Sequence, residues 1–204
     1  MVPSTIEFTA GGITDLINAF NVSSPGDTLI ANLHNFPVPT TIVIPSDRTL
    51  IIRPHNMLAL QGFNSILAVT GNHRHFYVSD GATLIMELSV VEGNPIFGGS
   101  GHTHPVLQGL GGGVYGGGVY VVDDGTFIMN AGEITGNTAN NGGGVLVTGA
   151  NAMFVMTGGT ISDNTASNRG GGVIIEDNAS FDMSGTAIIH SNTAEVGGGV
   201  HFGD

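Results

Sequence analysis

The C-terminal half of the chain repeats one pattern of small, apolar and polar positions. Gly116-Gly117-Gly118-Val119 returns as Gly142-Gly143-Gly144-Val145, as Gly170-Gly171-Gly172-Val173 and as Gly197-Gly198-Gly199-Val200. At the same interval Phe127-Ile128-Met129 becomes Phe154-Val155-Met156 and then Phe181-Asp182-Met183. Ile134-Thr135-Gly136-Asn137-Thr138-Ala139 is matched by Ile161 to Ala166 and, slightly late, by Ile189 to Ala194. A period of about 27 residues is the mark of a solenoid. Within each unit, short runs of β-branched and aromatic residues are broken by Gly, Asp, Asn and Ala turns, and no stretch has helical periodicity. Each unit is therefore one coil of three short strands, each pairing in parallel with its counterpart roughly 4.8 Å above.

The same strand continues into the N-terminal half with an irregular period. Thr126-Phe127-Ile128 is preceded by Thr83-Leu84-Ile85, Thr49-Leu50-Ile51 and Thr28-Leu29-Ile30, and the gaps between these copies are unequal. Tyr77-Val78 and Tyr120-Val121 fall in the same register. The expectation is an all-β, right-handed parallel β-helix of about six or seven coils, forming one domain over residues 1–204. Its parts are a cap at 1–25, irregular coils with insertions at 26–110, and coils of the regular period at 111–204. The end of the chain, just after another repeat begins, reads as a truncation.

Alternation assigns the core. Leu29, Leu50, Leu84, Phe127, Phe154 and Phe181 point inward, with Ile52, Met86, Met129, Met156 and Met183 on the same side. A second inward column is Val119, Val145, Val173 and Val200, joined by Val121, Val147, Ile175 and Phe202. Asn137, Asn164 and Asn192 form an asparagine ladder at a turn. At the N-terminus, Ile13 to Phe20 predicts a short helix with Thr14 as N-cap and Leu16, Ile17 and Phe20 on one face. Such a cap would cover an end that otherwise exposes core and strand edges.

Composition narrows the picture. The 34 glycines argue against a helical bundle, and their clustering argues against collagen. Net charge is −12, and the only Lys or Arg residues are Arg48, Arg53, Arg74 and Arg169. Four scattered arginines make no basic stripe, so no nucleic-acid partner is expected. No run approaches the roughly 20 apolar residues of a membrane span, so no direct membrane insertion is expected. Cysteine is absent, which removes disulfides and thiolate metal sites.

The Gly-Gly-Gly-Val and Ile-x-x-Asn-Thr-Ala columns resemble the glycine-rich β-helical repeats of bacterial surface proteins. These include adhesin-like proteins of intestinal Firmicutes and, more distantly, the polymorphic membrane proteins of chlamydiae. The chlamydial motifs are Gly-Gly-Ala before an aliphatic residue, and Phe-x-x-Asn. Here glycine replaces the alanine in Gly142-Gly143-Gly144-Val145, and isoleucine replaces the phenylalanine in Ile161 through Asn164. Ser24-Pro25-Gly26-Asp27-Thr28-Leu29-Ile30 resembles the first strand of pectin-lyase-like β-helices. The resemblance covers residues 76–204 well and the remainder loosely. It implies the fold and a secreted or cell-surface location in a bacterium. It implies no catalytic residues.

Polysaccharide lyases and hydrolases share this fold, so an enzyme is the alternative. Hydrolysis needs carboxylates grouped across adjacent coils. The best group is the turn column of Asp80, Asp123, Asp124, Glu176 and Asp177. The intervening coil puts Gly149, Ala150 and Asn151 there, leaving Asp123 and Asp177 two coils apart, roughly 10 Å. Asp-Gly and Asp-Asn in such places are ordinary turns, and no arginine stands by as a lyase base. A noncatalytic spacer or adhesin-like binding module is the favoured expectation.

Two His-x-His pairs, His73/His75 and His102/His104, have the spacing by which one strand face presents two imidazoles to a metal. Solvated loop histidines are the simpler reading, and neither a metal nor a cofactor is expected. Outside the rod, Ile51, Ile85, Ile128 and Val155 on one strand and Tyr120, Leu146 and Ile174 on another would form exposed apolar ladders. Tyr120, Leu146, Ile174, Ile128 and Val155 are thus interface candidates for another chain or an adjacent domain, unless the inserted loop at 95–115 covers them. A stacked Thr138, Thr165 and Thr193 column makes a narrow candidate ice-binding strip. The partner classes left are a glycan or an extracellular protein.

Overall fold

The structure is a computed structural model that describes residues 2–54, 65–69, 73–87, 105–109 and 112–203. Among the described residues it is all-β apart from one helix, and the strands form four parallel sheets. Sheet A holds seven strands in spatial order: Thr5–Ala10, Thr28–Leu33, Thr49–Pro54, Thr83–Met86, Thr126–Met129, Met153–Met156 and Ser180–Met183. Sheet B stacks Phe36–Val38, Ser65–Val69, Pro105–Gly109, Glu133–Thr135, Thr160–Ser162 and Ile188–His190. Sheet C stacks Ile42–Val43, Phe76–Val78, Val119–Val122, Val145–Thr148, Val173–Glu176 and Val200–Phe202. From Thr28 onward the chain visits A, B and C in turn, so strands that pair are one circuit apart in sequence. This ordering is consistent with a β-helix.

Register follows the sequence columns. Thr28, Thr49, Thr83 and Thr126 are successive partners, and Phe127, Phe154 and Phe181 align in one column. Tyr77 pairs with Tyr120 as the alignment requires. Along sheet A, Leu29, Leu50, Leu84, Phe127 and Phe154 are fully buried, as are Ile52, Met86, Met129 and Met156 farther along the same strands. The Phe127 and Phe154 rings stack at 4.8 Å, and Phe154 and Phe181 at 4.9 Å. Each buried aromatic or aliphatic side chain contributes roughly 1.5–3 kcal/mol of hydrophobic stabilisation. The last layer differs: Phe181 is only partly buried, and Met183 and Phe202 are exposed, because no described strand lies beyond them to complete their burial.

A fourth sheet goes beyond the three strands per coil that the pattern predicts. Sheet D stacks Gly112–Tyr115, Thr138–Asn141 and Thr165–Arg169, just before the triplets that start at Gly116, Gly142 and Gly170. Gly142 has φ +64, a left-handed turn that reverses the chain from sheet D into sheet C. Gly143 is constrained by space: a Cβ there would lie 2.3 Å from the Gly171 carbonyl oxygen.

Helix α1, Ile13–Val22, packs against the first strand of sheet A and buries Leu16 and Ala19. Its N-cap is Gly12, not Thr14, and Ile17 is exposed at 47%. The Asp15 carboxylate accepts hydrogen bonds from the Gly11 and Gly12 N–H groups at 2.9 and 3.1 Å, the capping half of a box with the acid at N3. The buried face is therefore rotated from the one expected.

Candidate functional site

The acidic turns join sheet C to sheet A. Asp47, Asp80, Asp123 and Asp177 all adopt the left-handed conformation, with φ between 52 and 55. Aspartate tolerates it better than most residues because its short side chain bonds locally. Asp124 Oδ1 accepts from Asn151 Nδ2 at 2.9 Å, Asp177 Oδ2 accepts from the Thr148 hydroxyl, and Asp80 Oδ2 accepts from the Ser79 hydroxyl at 3.2 Å. Glu176 is half-buried beside Gly203. Gly149 occupies the layer between Asp123 and Asp177, and its position abuts the Asp123 backbone. Two strand spacings, about 10 Å, thus separate these two turns, wider than the roughly 5–5.5 Å of a retaining carboxylate pair.

Asp47 belongs to this column although the sequence pattern does not place it there. Its N–H donates to the Asp80 carbonyl at 3.1 Å. The path from Asp47 to its strand threonine, Thr49, is shorter than that from Asp80 to Thr83, which shifts the aspartate out of a simple alignment. Aligning on the strand threonines and allowing that deletion recovers it.

In the described histidine pair, each ring bonds backbone through Nε2. His73 Nε2 bonds the Val38 carbonyl at 2.7 Å, and His75, fully buried, bonds the Leu67 carbonyl through Nε2 at 2.8 Å. The Nε2 of each ring is thus tied to backbone, joining a sheet C approach to sheet B. His102 and His104 lie outside the described residues. Among the described residues, no three His, Cys, Asp or Glu side chains are grouped to hold a metal ion. No described helix is long and apolar enough to cross a membrane.

The outward ladders divide. On sheet A, Ile30, Ile51, Ile85, Ile128 and Val155 are half-buried, each shielded by its neighbours in register. On sheet C, Leu146 and Ile174 are 1% and 0% exposed, so they are not the free apolar surface expected of them. The turns after sheet D cover them: a Cβ at Gly142 would meet Leu146 Cβ at 2.9 Å and Ile174 Cγ2 at 3.0 Å. Leu146 and Ile174 are interior to a small second layer rather than an interface. Thr138, Thr165 and Thr193 do stack as one column.

Tyr120, in the same outward column, remains partly exposed and is part of a cluster that the sequence pattern does not single out. Tyr77 and Tyr120 meet edge-to-face with ring centroids 5.4 Å apart. The Arg74 guanidinium sits over the Tyr120 ring, 4.8 Å from its centroid. Val43, paired with Tyr77, is 55% exposed beside them. Burial pushes the Arg74 pKa below the ordinary arginine value, and the two phenols work against that shift. Arg53 is ion-paired with Glu87 at 2.7 Å, and Arg48 donates to Ser23 and to the Ser46 carbonyl. Among the described residues, Arg74 has no carboxylate within ion-pair distance.

No protein-family model matches the chain, and neither a curated protein nor a solved structure matches it.

Proposed function

We propose that the chain is a noncatalytic module of a secreted or cell-surface bacterial protein, a right-handed parallel β-helix of six or seven coils that serves as a rigid spacer and carries an adhesin-like binding face. The observation that carries this reading is the unbroken seven-strand ladder of sheet A over an apolar interior. A ladder of that kind is stiff along its axis and presents one side-chain column per strand position, the geometry of an extended contact surface. Seven strands span roughly 30 Å.

The acidic turns support a structural reading over the alternative of a carbohydrate-active enzyme. Asp80, Asp124 and Asp177 each accept a side-chain hydrogen bond from a hydroxyl or amide of a neighbouring residue at the turn or the strand end beside it. Incubation with a panel of acidic and neutral polysaccharides, alongside a glycan and extracellular-matrix array, tests the choice. Binding without product formation is expected. Turnover that disappears in Asp123→Ala/Asp124→Ala would refute it.

A further inference from the structure

We infer that Asn178 is a modification site, an asparagine whose side-chain amide accepts an oligosaccharide from a polyprenyl-diphosphate donor through an oligosaccharyltransferase. The inference rests on the secreted or cell-surface reading above, because this acceptor motif is used on exported chains.

The chain contains two Asn-x-Ser/Thr tripeptides, Asn21-Val22-Ser23 and Asn178-Ala179-Ser180. The motif does not choose between them, but their surroundings do. A transferase must hold the asparagine amide and the hydroxyl two residues on at the same time. Asn21 lies in the last turn of α1, and helical residues two apart do not share a face. Ser23 is also occupied. It is buried, and its hydroxyl donates to the Phe20 carbonyl at 2.9 Å and accepts from Arg48 Nε at 2.8 Å. Exposing that hydroxyl would undo the C-terminal cap of the helix.

Asn178 meets the opposite conditions. Asp177 and Asn178 are the central residues of a tight turn, with φ of 54 and 61, closed by the Ala179 N–H on the Glu176 carbonyl at 3.1 Å. Positive φ at both central positions marks a type I′ turn. Asn178 stands at its tip, and both it and Ser180 are exposed. The turn is anchored from the layer before: Asp177 accepts from the Thr148 hydroxyl, and the Ser180 N–H donates to the Ala152 carbonyl at 2.9 Å. Thr148 is the register partner of Glu176, so the small residues Gly149 and Ala150 lie next to Asp177 and Asn178. Asn151 is drawn the other way, to Asp124. An enzyme can therefore approach the tip without displacing a packed side chain. Glu176, two positions ahead, also admits transferases that require an acidic residue there.

The step is a substitution at the anomeric carbon of the first sugar. Asn178 Nδ2 forms the new C–N bond as the C–O bond to the diphosphate breaks. Polyprenyl diphosphate leaves with that electron pair, and the amide nitrogen gives one proton to a base of the enzyme.

The test incubates folded protein with a transferase that requires only Asn-x-Ser/Thr and with a polyprenyl-diphosphate oligosaccharide, then weighs tryptic fragments by mass spectrometry. Asn21 precedes the first arginine and Asn178 follows the last, so the two motifs fall in separate fragments. One glycan per chain is expected, on the fragment that begins at Gly170. Ser180→Ala should lose the modification and Ser180→Thr should keep it. A short peptide carrying the Asn21 motif should be modified; its rejection would mean that the fold is not what spares Asn21, and the argument fails. An unmodified Asn178 in folded protein, or equal modification of Asn21, overturns the inference on wild-type protein alone. That failure leaves the binding-module reading standing, because the polysaccharide and array assays do not involve Asn178. An unmodified chain that also binds nothing on the array fails both.

Discussion

The Asn164 carboxamide is fully buried, and its nitrogen donates to the Ile134 and Ser162 carbonyls and to Asn192 Oδ1 at 2.9, 2.9 and 3.0 Å. Its oxygen accepts from both the backbone N–H and the side-chain amide of Asn137, each at 3.0 Å. One side chain therefore links three layers. Asn164→Ala would strand donors and acceptors on both neighbours, and a loss of roughly 2–4 kcal/mol is expected in urea unfolding. Asn192→Ala, at a half-exposed position, should cost less because water replaces its bonds. A loss as large at Asn192 would contradict the ladder's cooperative role. Glycines sort by a similar logic. Gly143→Ala drives a Cβ into the next layer's backbone, whereas Gly136 has φ +66 and nothing within 4 Å of its Cβ position. Gly136→Ala should cost only the left-handed penalty of roughly 1–2 kcal/mol, and Gly143→Ala should lower the Tm much further. At the N-terminal turn, Asp27 accepts from the Ser24 N–H, the Ser4 N–H and the Ser4 hydroxyl. Those bonds, the Ser24 one foremost, hold its pKa below the usual 3.8, with a smaller contribution from Arg48. The folded value is the lower one, so this stabilisation is present above the unfolded pKa and is lost as pH falls through the folded value. Asp27→Asn should melt earlier than wild type at neutral pH, and the difference should shrink in strong acid.

Among the elements, α1 is the part whose details the sequence conceals. An apolar stripe predicts the helix, yet Thr14 stands out as a cap candidate beside the first apolar turn. The deciding signal is Asp15 at the N3 position after Gly12, a carboxylate that reaches back to two N–H groups. With the start moved to Gly12, Leu16 and Ala19 face the core and Ile17 does not. Leu16→Ala should cost roughly 2–5 kcal/mol, while Ile17→Ala should be nearly neutral; equal costs would contradict this placement of the helix. Strand columns are more legible. Thr28, Thr49, Thr83 and Thr126 each open a Thr-apolar-Ile pattern that survives changes in the intervening length, because register depends on the strand and not on its connections. Sheet D is not legible. Thr138–Asn141 and Thr165–Arg169 are polar and carry little strand propensity, and they pair because the coils already hold them one strand spacing apart. Arg74 is hidden for a related reason: it lies outside the named strands, where no alternation fixes the side chain's direction.

At the scale of the whole molecule, stability should depend on position along the stack. Phe154 lies between two other rings and is fully buried, while Phe181 has one stacked neighbour and partial exposure. Phe154→Ala should cost roughly 3–5 kcal/mol and Phe181→Ala distinctly less. The central claim is that one interior runs continuously through seven parallel layers of sheet A. The chain has no cysteine, so Glu7→Cys and Asp182→Cys would supply the only two labelling sites, both exposed and on the first and last strands of that sheet. Electron–electron distance measurement between nitroxide labels there should give one population near about 30 Å, six strand spacings of roughly 4.8 Å. A population centred near half that distance, or a broad spread without a dominant peak, would contradict a single continuous stack.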